Sequence, residues 1–216
     1  MKKHQLREPG SAITHFIGML MAVLAGIPLL LKATQQPNPL YIISLSVYVI
    51  SLILLYAAST TYHSLDISEK ANKLLKKLDH MMICVLIAGT YTPICLIEIK
   101  DNMGIPLLII IWGFAILGIV FKAFWVTCPK WISSILYIAM GWTCLLAFPN
   151  LLNALSAPAF GWLLCGGIIY TIGGVLYALK FSIFDKLPKN FGLHEVFHLF
   201  VMGGSICHFI VMCYLF

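Results

Sequence analysis

Seven long apolar stretches constrain this chain more than any other feature. They fall at about 12–32, 41–63, 79–98, 104–124, 131–150, 160–180 and 193–216. Each can cross roughly 30 Å of hydrocarbon as a helix of about 17–25 residues. A backbone in lipid has to satisfy its own N–H and C=O groups, so segments of this length read as helices. The expected fold is an all-α membrane protein, a seven-transmembrane helix bundle forming one domain over residues 1–216. Composition agrees: 10% of the residues are charged, against about 25% in soluble domains.

The basic residues give the bundle an orientation. With the N-terminus inside, the cytoplasmic segments hold Lys2, Lys3 and Arg7, then Lys70, Lys73, Lys76 and Lys77, then Lys122 and Lys130, then Lys180, Lys186 and Lys189; the outside keeps Lys32 and Lys100. Twelve against two is a strong positive-inside asymmetry, and a missed or invented helix would scramble it. The N-terminus is therefore expected in the cytoplasm and the C-terminus outside. The net charge of +6 is explained by this topology, and no phosphate-binding loop or nucleic-acid signature appears. The basic start, Met1 to Gly10, precedes a long apolar run with no small-residue cleavage site, which predicts a retained first span rather than a signal peptide.

Other features are read as packing. The seven cysteines are odd in number, form no Cys-x-x-Cys pair, and read as small core residues. Pro28, Pro93 and Pro106 are expected at kinks or helix starts. Gly161, Gly166, Gly167, Gly173 and Gly174 in the sixth stretch are expected to let helices approach closely. The lysine-bearing segment 65–78 reads as a juxtamembrane loop lying along the inner interface.

The polar residues converge at one depth. His194 and His198 lie four residues apart, on one helix face about 5.4 Å apart in rise, which suits two imidazoles sharing a metal. The alternative is a pair satisfied by hydrogen bonds at a helix end. The charge count, in which these residues play no part, puts His63 at the inner end of the second span and Asp79 at the inner end of the third. Both then lie level with the pair. Three neutral imidazoles and a water make an open tetrahedral zinc site. A carboxylate beside the water completes the chemistry, and Asp79 is the candidate general base and acid. Ser59, one turn before His63, is placed to hydrogen-bond a ligand or the substrate.

Ser59-x-x-x-His63, Asp79 sixteen residues on, and His194-x-x-x-His198 together resemble the signature of the hemolysin III family. That family shares the signature with the progestin and adipoQ (adiponectin) receptors, the PAQR proteins, within the CREST superfamily. Glu8 followed by Ile13-Thr14-His15-Phe16-Ile17-Gly18 resembles the family's first-helix motif, and Gly89-Thr90-Tyr91-Thr92-Pro93 its third-helix motif. The resemblance spans essentially the whole chain, and the short N-terminus looks like the bacterial branch. It implies a seven-helix bundle with its N-terminus inside. It also implies Zn2+ held at His63, His194 and His198, with a water held by Asp79 and Ser59 nearby. In the receptor branch such a site is associated with ceramide hydrolysis; in bacterial members the name reflects a cytolytic phenotype, and a role in membrane-lipid homeostasis is proposed.

The expected function is thus a zinc-dependent hydrolase of lipid amides or esters, acting on a membrane lipid at the cytoplasmic leaflet of the bacterial plasma membrane. The alternative is a non-catalytic zinc protein, a sensor, regulator or cytolytic factor. A third reading follows from His194-Glu195-Val196-Phe197-His198, which spells His-Glu-x-x-His, the zinc-protease pattern with Glu195 as base. The rest of the chain lacks a third-ligand motif of that kind, and Glu195 is expected to face a neighbouring helix or the inner interface. His208, about 21 Å further along the helix than His194, is expected to hydrogen-bond within the bundle. Glu8 and His15 are expected to lend structural support near the inner end of the first span, and His80 to point away from Asp79 by one helical step and to be interfacial.

Overall fold

The computed structural model describes residues 6–179 and 191–216. Lys2, Lys3, Lys180, Lys186 and Lys189, five of the residues behind the orientation argument, lie outside the described residues. Among the described residues seven helical segments are long and apolar enough to cross a membrane.

Helix α1 (Pro9–Thr34) carries a proline in its first turn, where the missing N–H has no partner to lose, and Pro28 in its interior. Helix α2 spans Leu40–Ser64. Helix α3 runs Glu69–Pro93, so the reading of 65–78 as an interfacial loop is corrected. Only residues 65–68 are non-helical, and Lys70, Lys73, Lys76 and Lys77 stand on the first turns of α3. Ser68 starts the helix, its hydroxyl accepting a hydrogen bond from the Ala71 N–H at 3.2 Å. Lysine lowers hydropathy, which is how a span is read, yet it is a good helix former.

Past Pro93 the backbone widens into a π-helical turn, Ile94–Glu98. A second such turn covers Lys100–Gly104, kinked at Asn102. Only glycine fits at 104, where a Cβ would run into the carbonyl oxygens of Cys95 and Ile99. Helix α4 (Ile105–Phe124) follows, with Pro106 in its first turn. The fifth span is broken: α5 (Lys130–Gly141) tightens into a 3-10 stretch at Trp142–Ala147 and resumes as α6 (Phe148–Ala154). The Tyr91 hydroxyl bridges this break, donating to the carbonyls of Gly141 at 2.5 Å and Met140 at 3.3 Å and accepting from the Cys144 N–H at 2.8 Å. It satisfies backbone groups that the change of winding would leave bare. The last two spans are α7 (Ala157–Leu179) and α8 (Leu193–Cys213).

The helices close a ring in which α1 packs on α2, α2 on α3, α3 on α5, α5 on α7, α7 on α8 and α8 on α1, while α4 lies against α3 and α5. Small residues set the close contacts. A Cβ at Gly26 of α1 would sit 2.6 Å from Val49 Cγ1 of α2. Of the five glycines expected to do this in the sixth span, Gly166, Gly173 and Gly174 face neighbouring side chains, at His208, Phe200 and Ile138 respectively; Gly161 and Gly167 have open space beside them. Large apolar side chains such as Leu24, Ile109 and Phe124 instead point outward and are exposed. That inversion suits lipid as the surrounding solvent.

Candidate metal centre

The ring brings the C-terminal end of α2, the N-terminal end of α8 and the start of α1 to one place. His63 is the next-to-last residue of α2 and is buried; His194 and His198 stand one turn apart at the start of α8. Each of the three offers one ligand atom, and these atoms all lie within 4.8 Å of one another. His63 Nε2 and His194 Nε2 are 3.2 Å apart. Two nitrogens held tetrahedrally at about 2.0–2.1 Å from a zinc ion would be separated by roughly 3.3 Å, so this pair is spaced to share a cation.

The opposite ring edges are also held. Glu8, one residue before α1, places Oε2 at 2.6 Å from His63 Nδ1, and its backbone N–H donates to the His63 carbonyl at 2.9 Å. A carboxylate accepts only, so it calls for Nδ1–H and leaves the His63 Nε2 lone pair free. Hydrogen bonding to His63 holds the Glu8 carboxyl below its ordinary value despite partial burial. Thr14 does the same for His198. Its hydroxyl lies 3.0 Å from the carbonyls of Gly10 and Ser11, to which it donates, and 3.2 Å from His198 Nδ1. With its proton engaged there, the Thr14 oxygen accepts from Nδ1–H, which frees Nε2. The donor set, its spacing and its outer partners fit a metal held by three imidazoles.

Residues picked out in the sequence fall into three groups. His63, His194 and His198 come together in the cluster. Asp79 and Ser59 line one cavity with His194 and His198. The Ser59 hydroxyl is buried and close enough to Asp79 to interact with it, yet outside the geometry of a hydrogen bond. Glu195 stands apart from the cluster. Its Oε1 accepts from Ser11 Oγ at 2.6 Å, and its Oε2 accepts from the Gly192 N–H at 2.7 Å. It caps its own helix and ties it to α1, as expected of a residue facing a neighbouring helix. Each carboxylate oxygen thus accepts a hydrogen bond from outside the cluster.

His208 lies 3.3 Å from the Leu163 carbonyl, within the bundle as expected, though it also lines the cavity. His80 Nδ1 donates to the Lys76 carbonyl at 2.9 Å and lies 3.7 Å from Asp79 Oδ2, so it does not point away from Asp79; half-buried on the cavity wall, it is less peripheral than an interfacial residue. His15 stacks on His198 with ring centroids 3.5 Å apart, and both its buried ring nitrogens lack a hydrogen-bond partner. Support of the neighbouring segments by Glu8 and His15 was the sequence expectation. The structure makes that support specific: their partners are the clustered histidines themselves. Thr14 was missed, although its place beside His15 in the first-helix motif was the available signal.

The cavity has a volume of about 200 Å³ and runs from this cluster toward Trp142, Phe148, Leu163 and His208 with largely apolar walls.

Comparison with known proteins matches this picture. A model of the family described as haemolysin-III related matches residues 3–209. The chain is 41% identical over 209 residues to Hemolysin-3 of Bacillus cereus, covering 97% of this chain and 90% of that protein. It is 39% identical to the Hemolysin-3 homolog of Bacillus subtilis, covering 97% of this chain and 93% of that protein. A weaker likeness, 23% identity over 229 residues, reaches the adiponectin receptor protein of Drosophila melanogaster, 94% of this chain against 49% of that one. A seven-span bundle, a buried three-histidine cluster and matches along nearly the whole sequence lead to one conclusion: the chain is a multi-pass membrane protein that belongs to the haemolysin-III-related family, kin to the adiponectin receptors.

Proposed function

We propose that this protein is a zinc-dependent hydrolase that cleaves an amide or ester bond of a membrane lipid. The carrying observation is that two of the three clustered imidazoles, His194 and His198, open onto an apolar-walled cavity that also holds Asp79 and Ser59. Imidazole ligands suit zinc. Zinc so held supplies a Lewis acid that polarises a carbonyl and activates water near neutral pH.

The chain's own groups supply the rest. Glu8 and Thr14 fix the ring orientations of His63 and His198. A carboxylate oxygen of Asp79 accepts the proton of the attacking water and returns it to the leaving nitrogen or oxygen as that bond breaks. The Ser59 hydroxyl, without a bonded partner, is free to orient the substrate carbonyl or the Asp79 carboxylate. Apolar walls exclude bulk water and accept the acyl chain. The positive-inside asymmetry supports an orientation with the N-terminus in the cytoplasm and this site at the inner leaflet of the plasma membrane. The bacterial hemolysin relatives support the same membrane.

The names of those relatives favour a second reading, a zinc-bearing membrane protein that is cytolytic or regulatory and not catalytic. Purified protein incubated with lipid amides and esters separates the two. The hydrolase reading expects turnover by the wild type and a loss of about 10²–10⁴-fold in Asp79→Ala with zinc retained. Zinc bound stoichiometrically and no turnover in either sample would reject it.

A further inference from the structure

A second cluster of reactive groups lies at the end of α4, outside the histidine site. Lys122 is fully buried, at 0% exposure. Its Nζ contacts Cys128 Sγ at 3.1 Å and Ser133 Oγ at 2.5 Å. The rings of Phe121 and Tyr137 lie 5.4 and 5.6 Å from it. Lysine is almost never fully buried without a charged partner, and among the described residues neither ion pair involves Lys122. Its closest polar neighbours are thus a thiol and a hydroxyl. The thiol is buried as well, and Ser133, 3.4 Å from it, lines the same cavity as Asp79.

We propose that Lys122 and Cys128 form an oxidant-driven modification site, at which hydrogen peroxide converts the contact into a covalent sulfur–nitrogen bond. In the first step sulfur attacks one peroxide oxygen and the O–O bond breaks. Cys128 becomes a sulfenic acid, and the thiol proton leaves with the other oxygen as water. Sulfur is oxidised by two electrons and peroxide is reduced. In the second step the Lys122 nitrogen, having lost its ammonium proton to water, attacks sulfur with its lone pair and the S–O bond breaks. The hydroxyl leaves as a second water with a proton from nitrogen, giving a sulfenamide. Sulfenic acids are known to condense with nitrogen in this way, and here the nitrogen is already in contact. The net change is loss of one hydrogen from each residue.

Cys128 is the one cysteine between Cys95 and Cys144, which makes the product unambiguous. The full-length protein in nanodiscs is treated with hydrogen peroxide and digested with chymotrypsin, which cuts after Phe124 and Trp125 and so leaves Lys122 and Cys128 on separate peptides unless they are joined. The expected result is a joined pair of peptides whose mass is their sum less two hydrogens, separated by dithiothreitol, with tandem mass spectra locating the bond between residues 122 and 128. Lys122→Arg, which keeps the charge but not the nucleophilic amine, should lose that species and accumulate a dimedone-reactive sulfenic acid or a sulfinic acid. Should Lys122→Arg fail to fold, the wild-type spectra decide alone. Wild-type Cys128 that stops at sulfenic acid, proceeds to sulfinic acid, bonds to a backbone nitrogen, or stays reduced while other cysteines oxidise overturns the proposal.

Discussion

Replacing Glu8 tests whether the histidine cluster is organised from outside as well as within. The Glu8 carboxylate meets His63 Nδ1 at 2.6 Å, and it contributes a charge, an acceptor and a fixed ring orientation. Glu8→Gln keeps the shape and one acceptor oxygen but removes the charge; Glu8→Ala removes all three. Loss of such an outer partner typically weakens metal affinity by about 10–100-fold, or roughly 1.4–2.8 kcal/mol. The Glu8 side chain is 39% exposed, and solvent screening discounts its charge. Glu8→Gln should therefore fall near the tenfold end and Glu8→Ala nearer the upper end. The assay is competition for zinc against a chelator of known affinity, using purified protein, with His63→Ala as the control that loses tight binding. The pH dependence adds a sign. The folded Glu8 carboxyl is held below its ordinary value by His63, so its contribution to folding is complete above the unfolded value and is lost as pH falls through the folded one. The stability gap between wild type and Glu8→Gln should be flat near neutral pH and close only in acid. If both Glu8 variants bind zinc as tightly as wild type while His63→Ala does not, the outer-partner reasoning is wrong.

Three further outcomes follow from the geometry. Glu195→Ala removes the bonds to Ser11 Oγ and the Gly192 N–H and should cost about 0.5–2 kcal/mol in unfolding experiments, with zinc content unchanged; loss of the metal would return Glu195 to the site. Tyr91→Phe leaves the Gly141 carbonyl and the Cys144 N–H without their partner. It should destabilise the protein by about 1–3 kcal/mol, and hydrogen exchange should speed up first around residues 141–147. Gly26→Ala drives a Cβ toward Val49 and should lower stability by about 1–3 kcal/mol. Val49→Ala in the same chain should recover much of that loss, and strict additivity of the two changes would show that the α1–α2 contact is not tight there.

What was legible in the sequence depends on the range over which each property is decided. The seven spans were readable because crossing a bilayer depends on consecutive residues, and both transfer energy and helix formation are local. His194 and His198 were readable as a pair because helical periodicity alone puts them on one face, and the depth argument added His63 without any contact being known. Local information misled where two local signals compete: lysines made 65–78 look like a loop, while the Ser68 cap and good helix formers carry α3 through it. The break of the fifth span at Gly141 is bridged by a hydroxyl fifty residues away, at Tyr91, a partner that no sequence neighbour reveals. The same holds for the site. Glu8 meets His63 across 55 residues, and Thr14 meets His198 across 184. Glu195 turns to Ser11 instead of to the histidines beside it. These partnerships exist only because α1 closes the ring between α2 and α8. The sequence by itself therefore determined a seven-span membrane protein with three histidines at one depth. The tertiary structure decided which side chains orient them, which carboxylates share their cavity and which is spent on a helix cap, because those choices belong to contacts between helices and not to any helix alone.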